Sequence, residues 1–172
     1  MLPSHDNMDI SAFSGKTEAD KFYLNLAYGQ RIYSDDPKSK KIVQSGVGAV
    51  IVGKSGVLAK SANVLPPALK SHHTAFDRTI SEHERYSYIE HAERAAIFKA
   101  LLAGKDLDGS TIYCTRFPCS DCARAIAWTG ITRAVFANGY TGEARWLESQ
   151  KAALHILRKT GVTVRILKIV TE

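Results

Sequence analysis

The sequence contains no run of about 18 apolar residues, the least that crosses a bilayer as a helix, so a membrane-spanning role is excluded at the outset. Its opening stretch, MLPSHDNMDISAFSGKTEAD, carries acidic and polar groups where a secretory signal needs a basic and then an apolar segment; a cytoplasmic protein is expected. Only three cysteines occur, an odd number and too few for a disulfide framework, which turns attention to metal binding or catalysis. One of them, Cys114, sits in the apolar run 110–114 and reads as a small buried thiol. Internal repeats are also absent.

Against these absences stands a modest basic excess. Lys and Arg number 23 against 17 Asp and Glu, a formal charge of +6 that suits an anionic partner. That partner is a free nucleotide or a nucleic acid; the cations are scattered, as they also are on an ordinary solvated surface.

Periodicity divides the chain into an N-terminal tail, 1–16, expected to be flexible, and one domain, 17–172. Phe22, Leu24, Leu26, Ala27 and Tyr28 recur at helical spacing and predict a helix over 17–33, with Thr17 and Asp20 as its N-cap signal. A polar loop follows over 34–41. The β-branched run 47–52, the Gly-Lys-Ser-Gly turn at 53–56 and the segment 57–62 read as a hairpin. Residues 63–88 are polar and aperiodic, with Pro66, Pro67 and a His72–His73 pair; a loop that long is commonly functional and is expected to border the site. Beyond it come a helix over 91–102 ending at Gly104, a strand over 110–115 and a helix over 119–128 closed by Gly130. A strand over 134–137, a helix over 145–159 and a strand over 163–170 complete the order α-β-β-α-β-α-β-α-β. Strands separated by single helices argue for a mixed sheet with helices on both faces.

Two motifs carry chemistry: His91-Ala92-Glu93 at the start of one helix, and Pro118-Cys119-Ser120-Asp121-Cys122 at the start of the next. Thiolate and imidazole suit zinc, and a catalytic zinc keeps one of four positions open, so His91, Cys119 and Cys122 are the right number of ligands. Cysteines at i and i+3 share one face of a first helical turn, where the helix N-terminus favours thiolate. Glu93 is set too close along the chain to His91 to join the same metal easily, and is placed instead as a general acid/base. A Cys-x-x-Cys alone also describes a structural zinc half-site or a redox pair; the accompanying His-x-Glu separates this chain from both.

The text HAERAAI, followed after the strand STIYCT by FPCSDCARAIAWTGITRAVF, resembles the cytidine, deoxycytidylate and tRNA adenosine deaminase superfamily, and most closely its deoxycytidylate branch. The resemblance covers roughly residues 20–170. It implies a three-layer α/β/α fold around a mixed five-stranded sheet, a bound Zn2+, and hydrolytic release of ammonia from an aminated base, dCMP first. It also implies that Asn63 binds sugar or base, that the Ala92 backbone recognises the ring, that Phe117 lines the pocket, and that the protein is a homo-oligomer. A nucleoside, free base, purine or other aminated heterocycle is the alternative substrate, and a non-catalytic zinc module the alternative role. The sequence departs from the deoxycytidylate branch at two places. Ser61-Ala62-Asn63-Val64 stands where Gly-Tyr-Asn-Gly is usual, and Ala95 stands in place of an Asn.

Some further groups are open to two readings each. Arg85 and Arg116 are phosphate contacts or exposed arginines, with Arg116 favoured for substrate by its place before the Pro-Cys motif. Tyr86 and Tyr88 stack on a base or pack the loop. His72, His73, His83 and His155 read as solvated residues.

Overall fold

The computed structural model describes residues 16–41, 45–70, 84–139 and 143–168. The expected tail up to residue 15, the His72–His73 pair, His83, the side chains of Arg85 and Tyr86 and the last residues of the final strand lie outside the described residues. Among those described, no helix is long and apolar enough to cross a membrane.

Five strands form one sheet in the order β2-β1-β3-β4-β5: β1 is Gly48–Gly53, β2 Gly56–Ala62, β3 Thr111–Cys114, β4 Arg133–Phe136 and β5 Thr163–Ile166. The hairpin β1-β2 and the β1-β3 pair are antiparallel, whereas β3-β4 and β4-β5 are parallel. The sheet is therefore mixed, as the alternation of strands and helices anticipates. Side chains alternate across it, and both faces are covered. Ala49, Ile51, Ile112, Cys114, Ala134 and Phe136 face one layer. That layer is built from α4 (Ala92–Leu102), α5 (Ser120–Trp128) and α6 (Ala144–Lys159). Val50, Val52, Tyr113 and Val135 face α1 (Lys16–Gln30), which supplies Ala19, Tyr23, Leu24 and Ala27. Cys114 is fully buried, as its setting in an apolar run suggested.

Close approach of α1 to β1 depends on one missing side chain. A Cβ at Gly48 would stand 1.8 Å from the Ala27 carbonyl oxygen, so any other residue there pushes the helix off the sheet. Gly130, at φ +76°, closes α5 as its position after the apolar helix implies.

Several expectations need correction. Thr17 is not the N-cap of α1: the helix already includes Lys16, and the Thr17 hydroxyl accepts a hydrogen bond from Arg165 at 3.0 Å. The loop expected over 34–41 contains a short helix, α2 (Pro37–Lys41), whose start is marked by Asp36 accepting from the Lys38 N–H at 3.0 Å. Asp-Pro before a polar run was the available signal, since Pro favours the first helical position and Asp the cap. The aperiodic stretch 63–88 likewise holds α3 (Pro67–Lys70) and a 3-10 turn at Glu84–Ser87. Both are too short to show a hydrophobic period.

Asp20 is the principal polar group of the α1 layer. Its carboxylate is 1% exposed and accepts both guanidinium nitrogens of Arg133 at 2.7 and 2.6 Å, Arg165 at 2.6 Å and the Tyr113 hydroxyl at 3.1 Å. Arg133, Arg165 and Tyr113 point the same way because they occupy same-face positions of neighbouring strands. Burial alone would raise the Asp20 pKa; the two arginines overcome it and hold the carboxyl below its ordinary value of 3.8. A depressed folded value means that the stabilisation is complete above pH 3.8 and is lost as pH falls through the lower folded value. Asp20→Asn is accordingly expected to lower the unfolding free energy by about 3 kcal/mol at pH 7, because two arginines lose a buried partner. Urea titrations should show the gap between wild type and variant narrowing below pH 4. A constant gap down to pH 2 would contradict the ion-pair account.

Candidate active site

The site forms where the N-termini of α4 and α5 meet beside the sheet. His91 is the N-cap of α4 (φ −68°, ψ 148°) and Cys119 the N-cap of α5 (φ −78°, ψ 171°); Cys122 lies in the first turn of α5. In neither helix does the cap side chain bond its own backbone, so the imidazole and the thiol are available to something else. His91 Nδ1 lies 3.5 Å from Cys119 Sγ and 3.4 Å from Cys122 Sγ, and the three atoms fall within 4.8 Å of one another. Tetrahedral zinc with bonds of about 2.0 Å to nitrogen and 2.3 Å to sulfur sets its N and S donors about 3.6 Å apart. The donor set fits that ion in both chemistry and spacing.

One of the two sulfurs is anionic even without a cation, whereas the bond to Cys119 and burial push the Cys122 thiol up. A hydrogen bond from Cys122, together with contact to His91, pulls the Cys119 pKa down to about 4, so this sulfur is anionic at neutral pH. The bond to Cys119 in turn draws a proton toward His91 and raises its pKa. Glu93, in the first turn of α4, is 3% exposed; removal from water pushes its carboxyl above the usual range. A buried carboxyl raised in this way is suited to taking up and returning a proton.

A second set of contacts fixes the two helix starts. Glu90 Oε1 accepts from the His91 backbone N–H at 2.8 Å and from Arg94 Nε at 2.6 Å, and Arg94 reaches across to Asp121, between the two cysteines, at 3.6 Å. Glu90 is tied to Val64 by paired backbone hydrogen bonds of 2.8 and 3.0 Å, which brings the end of β2 alongside the His91, Cys119 and Cys122 cluster. Asn63 arrives with it. Its Oδ1 accepts from the Val47 N–H at 2.9 Å, which fixes the amide orientation and leaves Nδ2 without a partner among the described residues.

A cavity of about 270 Å³ opens over the cluster, lined by Asn63, His91, Ala92, Glu93, Phe117, Cys119 and Arg116, which are all but one of the site residues expected from the sequence. Cys122, the remaining one, is fully buried behind the cluster as a ligand-type position rather than a wall. Phe117 is packed in place by Phe136, ring centroids 5.0 Å apart. Ala92 opens α4, where the first N–H groups have no intrahelical acceptor. The cavity also includes residues that sequence reasoning missed, among them Lys38, Ser45, Arg145, Trp146 and Gln150. Trp146 presents its ring edge-on to His91 at 6.1 Å, and Gln150 Nε2 donates to the Phe117 carbonyl at 3.4 Å. Tyr88 is 42% exposed and does not line the cavity, and His155 is exposed.

Residues 20–138 match the cytidine and deoxycytidylate deaminase zinc-binding region. The chain belongs to the cytidine and deoxycytidylate deaminase family. Among its relatives, an uncharacterised deaminase from the luxG 3′ region of Aliivibrio fischeri is 30% identical over 148 residues, covering 84% of this chain and 90% of that protein. The deoxycytidylate deaminase of Mus musculus is 28% identical over 148 residues, 84% of this chain and 77% of the relative. The dCMP deaminase of cyanophage S-TIM5, solved in complex with dCMP and dUMP, superposes with a TM-score of 0.68 at 25% identity, covering 89% of this chain and 99% of that one. The matched region of this deaminase contains all three donors and Glu93.

Removing one donor should separate a metal site from a merely packed cluster. Cys122→Ala is expected to reduce the zinc content of the purified protein from near one per chain to a small fraction, and to lower its thermal unfolding temperature. Zinc analysis by atomic emission provides the check; full occupancy in the variant would remove Cys122 from the ligand set.

Proposed function

We propose that the protein is a zinc-dependent hydrolase of cyclic amidine C–N bonds that converts dCMP to dUMP with release of ammonia. His91, Cys119 and Cys122 hold the metal and Glu93 carries the protons. The observation that supports this reading best is the placement of a buried carboxyl, raised above its usual range, next to a zinc-type donor cluster that opens into a cavity of about 270 Å³. Retention of Glu93 argues against a non-catalytic zinc module. The choice of dCMP draws support from the relatives named deoxycytidylate deaminase and from the cyanophage enzyme's complex.

A zinc ion held by His91, Cys119 and Cys122 would supply a nucleophile from water at neutral pH, by lowering the pKa of that water to about 7. Glu93 would accept the proton that the water gives up. Addition of the hydroxyl to C4 of cytosine consumes the C4–N3 double bond, and Glu93 delivers its proton to N3. A second proton passes through the same carboxyl to the exocyclic amine; the C4–N bond breaks, ammonia leaves, and the C4 carbonyl of uracil remains. Burial raises the Glu93 carboxyl above its usual range, which favours proton uptake and suits it to the acid role in this second step.

Recognition follows from the walls. Asn63 Nδ2, held by the Val47 bond, offers a donor to the sugar or base, and the Ala92 N–H offers one to the ring carbonyl. Phe117 and Trp146 supply apolar surface on which the base packs and from which water is excluded. We read residues 17–172 as one catalytic domain that self-associates, in keeping with Leu102 at 87% and Trp128 at 92% exposure on α4 and α5.

Ammonia release from the zinc-loaded protein over cytosine, cytidine, deoxycytidine, CMP, dCMP and purine compounds tests the reading. Glu93→Gln should bind zinc normally while turnover drops at least ~100-fold, the usual range for a lost general acid/base. Near wild-type turnover in this variant would refute the role of Glu93, and release from a purine alone would overturn the pyrimidine assignment.

A further inference from the structure

Two side chains of α6 grip the segment that presents Cys119, one on either side of it. Ser149 Oγ accepts from the Ser120 backbone N–H at 2.9 Å, and the two serine hydroxyls share a further hydrogen bond at 3.0 Å. One residue along, Gln150 Nε2 donates to the Phe117 carbonyl at 3.4 Å. Phe117-Pro118-Cys119-Ser120 is thus held before and after its thiol by neighbouring residues of one helix. That helix lies outside residues 20–138, the part of the chain that matches the family's zinc-binding region. Each bond answers a local deficit. Ser120 is the first residue of α5, where an N–H has no acceptor within the helix, and a serine on a second helix supplies one. Pro118 has no N–H, so the backbone leading into Cys119 lacks a donor of its own with which to tie itself down. α6 is itself fixed, because Ala153 and Leu157, one and two turns beyond Ser149, are fully buried in the core that α4 and α5 share.

We infer that Ser149 and Gln150 are positioning residues for the metal, a clamp on α6 that sets where the Cys119 sulfur stands relative to His91 and Cys122. The inference rests on the metal-holding role given above to the three donors, and extends it to a helix that carries none of them. Ser149 acts through the Ser120 backbone and Gln150 through the Phe117 backbone. Zinc tolerates donor displacements of only about 0.2 Å, so slack in residues 117–120 weakens its binding even when all three donors are present.

Competition against a chromophoric chelator measures the zinc affinity of the full chain and needs no turnover. Ser149→Ala is expected to weaken zinc binding about 10-fold, the lower end of what contacts behind the ligands contribute. Ser149→Thr, which keeps the hydroxyl, should restore most of that loss, and Gln150→Met, which keeps the bulk but not the donor, should weaken binding several-fold. Ala153→Gly is the control, since it loosens the same helix and removes neither hydrogen bond. It should lower the thermal unfolding temperature of the zinc-loaded protein at least as far as Ser149→Ala does, while leaving zinc affinity almost unchanged. Ser149, only half-buried, decides the matter if Gln150→Met does not fold. Unchanged affinity in Ser149→Ala, or an equal loss in Ala153→Gly, would overturn the clamp and leave the metal site standing. A wild type that takes up no zinc would overturn the metal reading itself, and the clamp with it.

Discussion

Everything in the site depends on two helix N-termini being brought to the same point. An imidazole and two thiols separated by 28 and 31 residues of chain must arrive within 3.5 Å of each other, and nothing local to either motif can arrange that. The sheet does it. β1 and β3 lie side by side, α4 and α5 pack on the same face of them, and Ala96, Ile97, Ala100, Ala123 and Ile126 merge into one core beneath. Small side chains at Ala92, Ala96 and Ala123, all fully buried, let the helices sit close enough for their caps to meet. The meeting of the three donors is therefore a consequence of core packing, with the helix ends adding the favourable potential for thiolate.

Packing sets the distance, but orientation needs polar contacts. Glu90 is the shared element: it fixes the backbone of His91, anchors Arg94 and pairs with Val64. Through Arg94 the tie extends to Asp121, and through Val64 to Asn63. The proposed metal ligands and the proposed base- or sugar-binding amide thus share a single brace, of the kind that positions groups for catalysis. Asp20 does a comparable task on the far face, where it joins α1 to β3, β4 and β5.

How much of this was legible in the sequence follows from the range of each interaction. The five strands and four long helices showed themselves because hydrophobic period is a local property of 4 to 16 residues. His91, Glu93, Cys119 and Cys122 showed themselves because each motif lies within one helical turn. The short helices at Pro37–Lys41 and Pro67–Lys70 did not, having no room for a period. Asp20 was misread for a different reason: its local setting suggested an N-cap, while its partners lie 93 to 145 residues away. Trp146, Gln150 and Lys38 likewise reach the cavity only through tertiary structure.

The departures from the family's usual text become intelligible on the same grounds. Ala62 and Val64, which flank Asn63, and Ala95, in the catalytic helix, form one small buried cluster of their own. None of the three lines the cavity. The usual Tyr at 62 and Asn at 95 are both larger than the alanines that stand here, so the two small residues are compatible with Val64 filling the space between them. The replacement leaves Asn63 where the Val47 bond needs it and leaves Glu93 untouched on the other side of α4. Both named departures therefore lie in packing behind the site, where a change leaves His91, Cys119 and Cys122 in place.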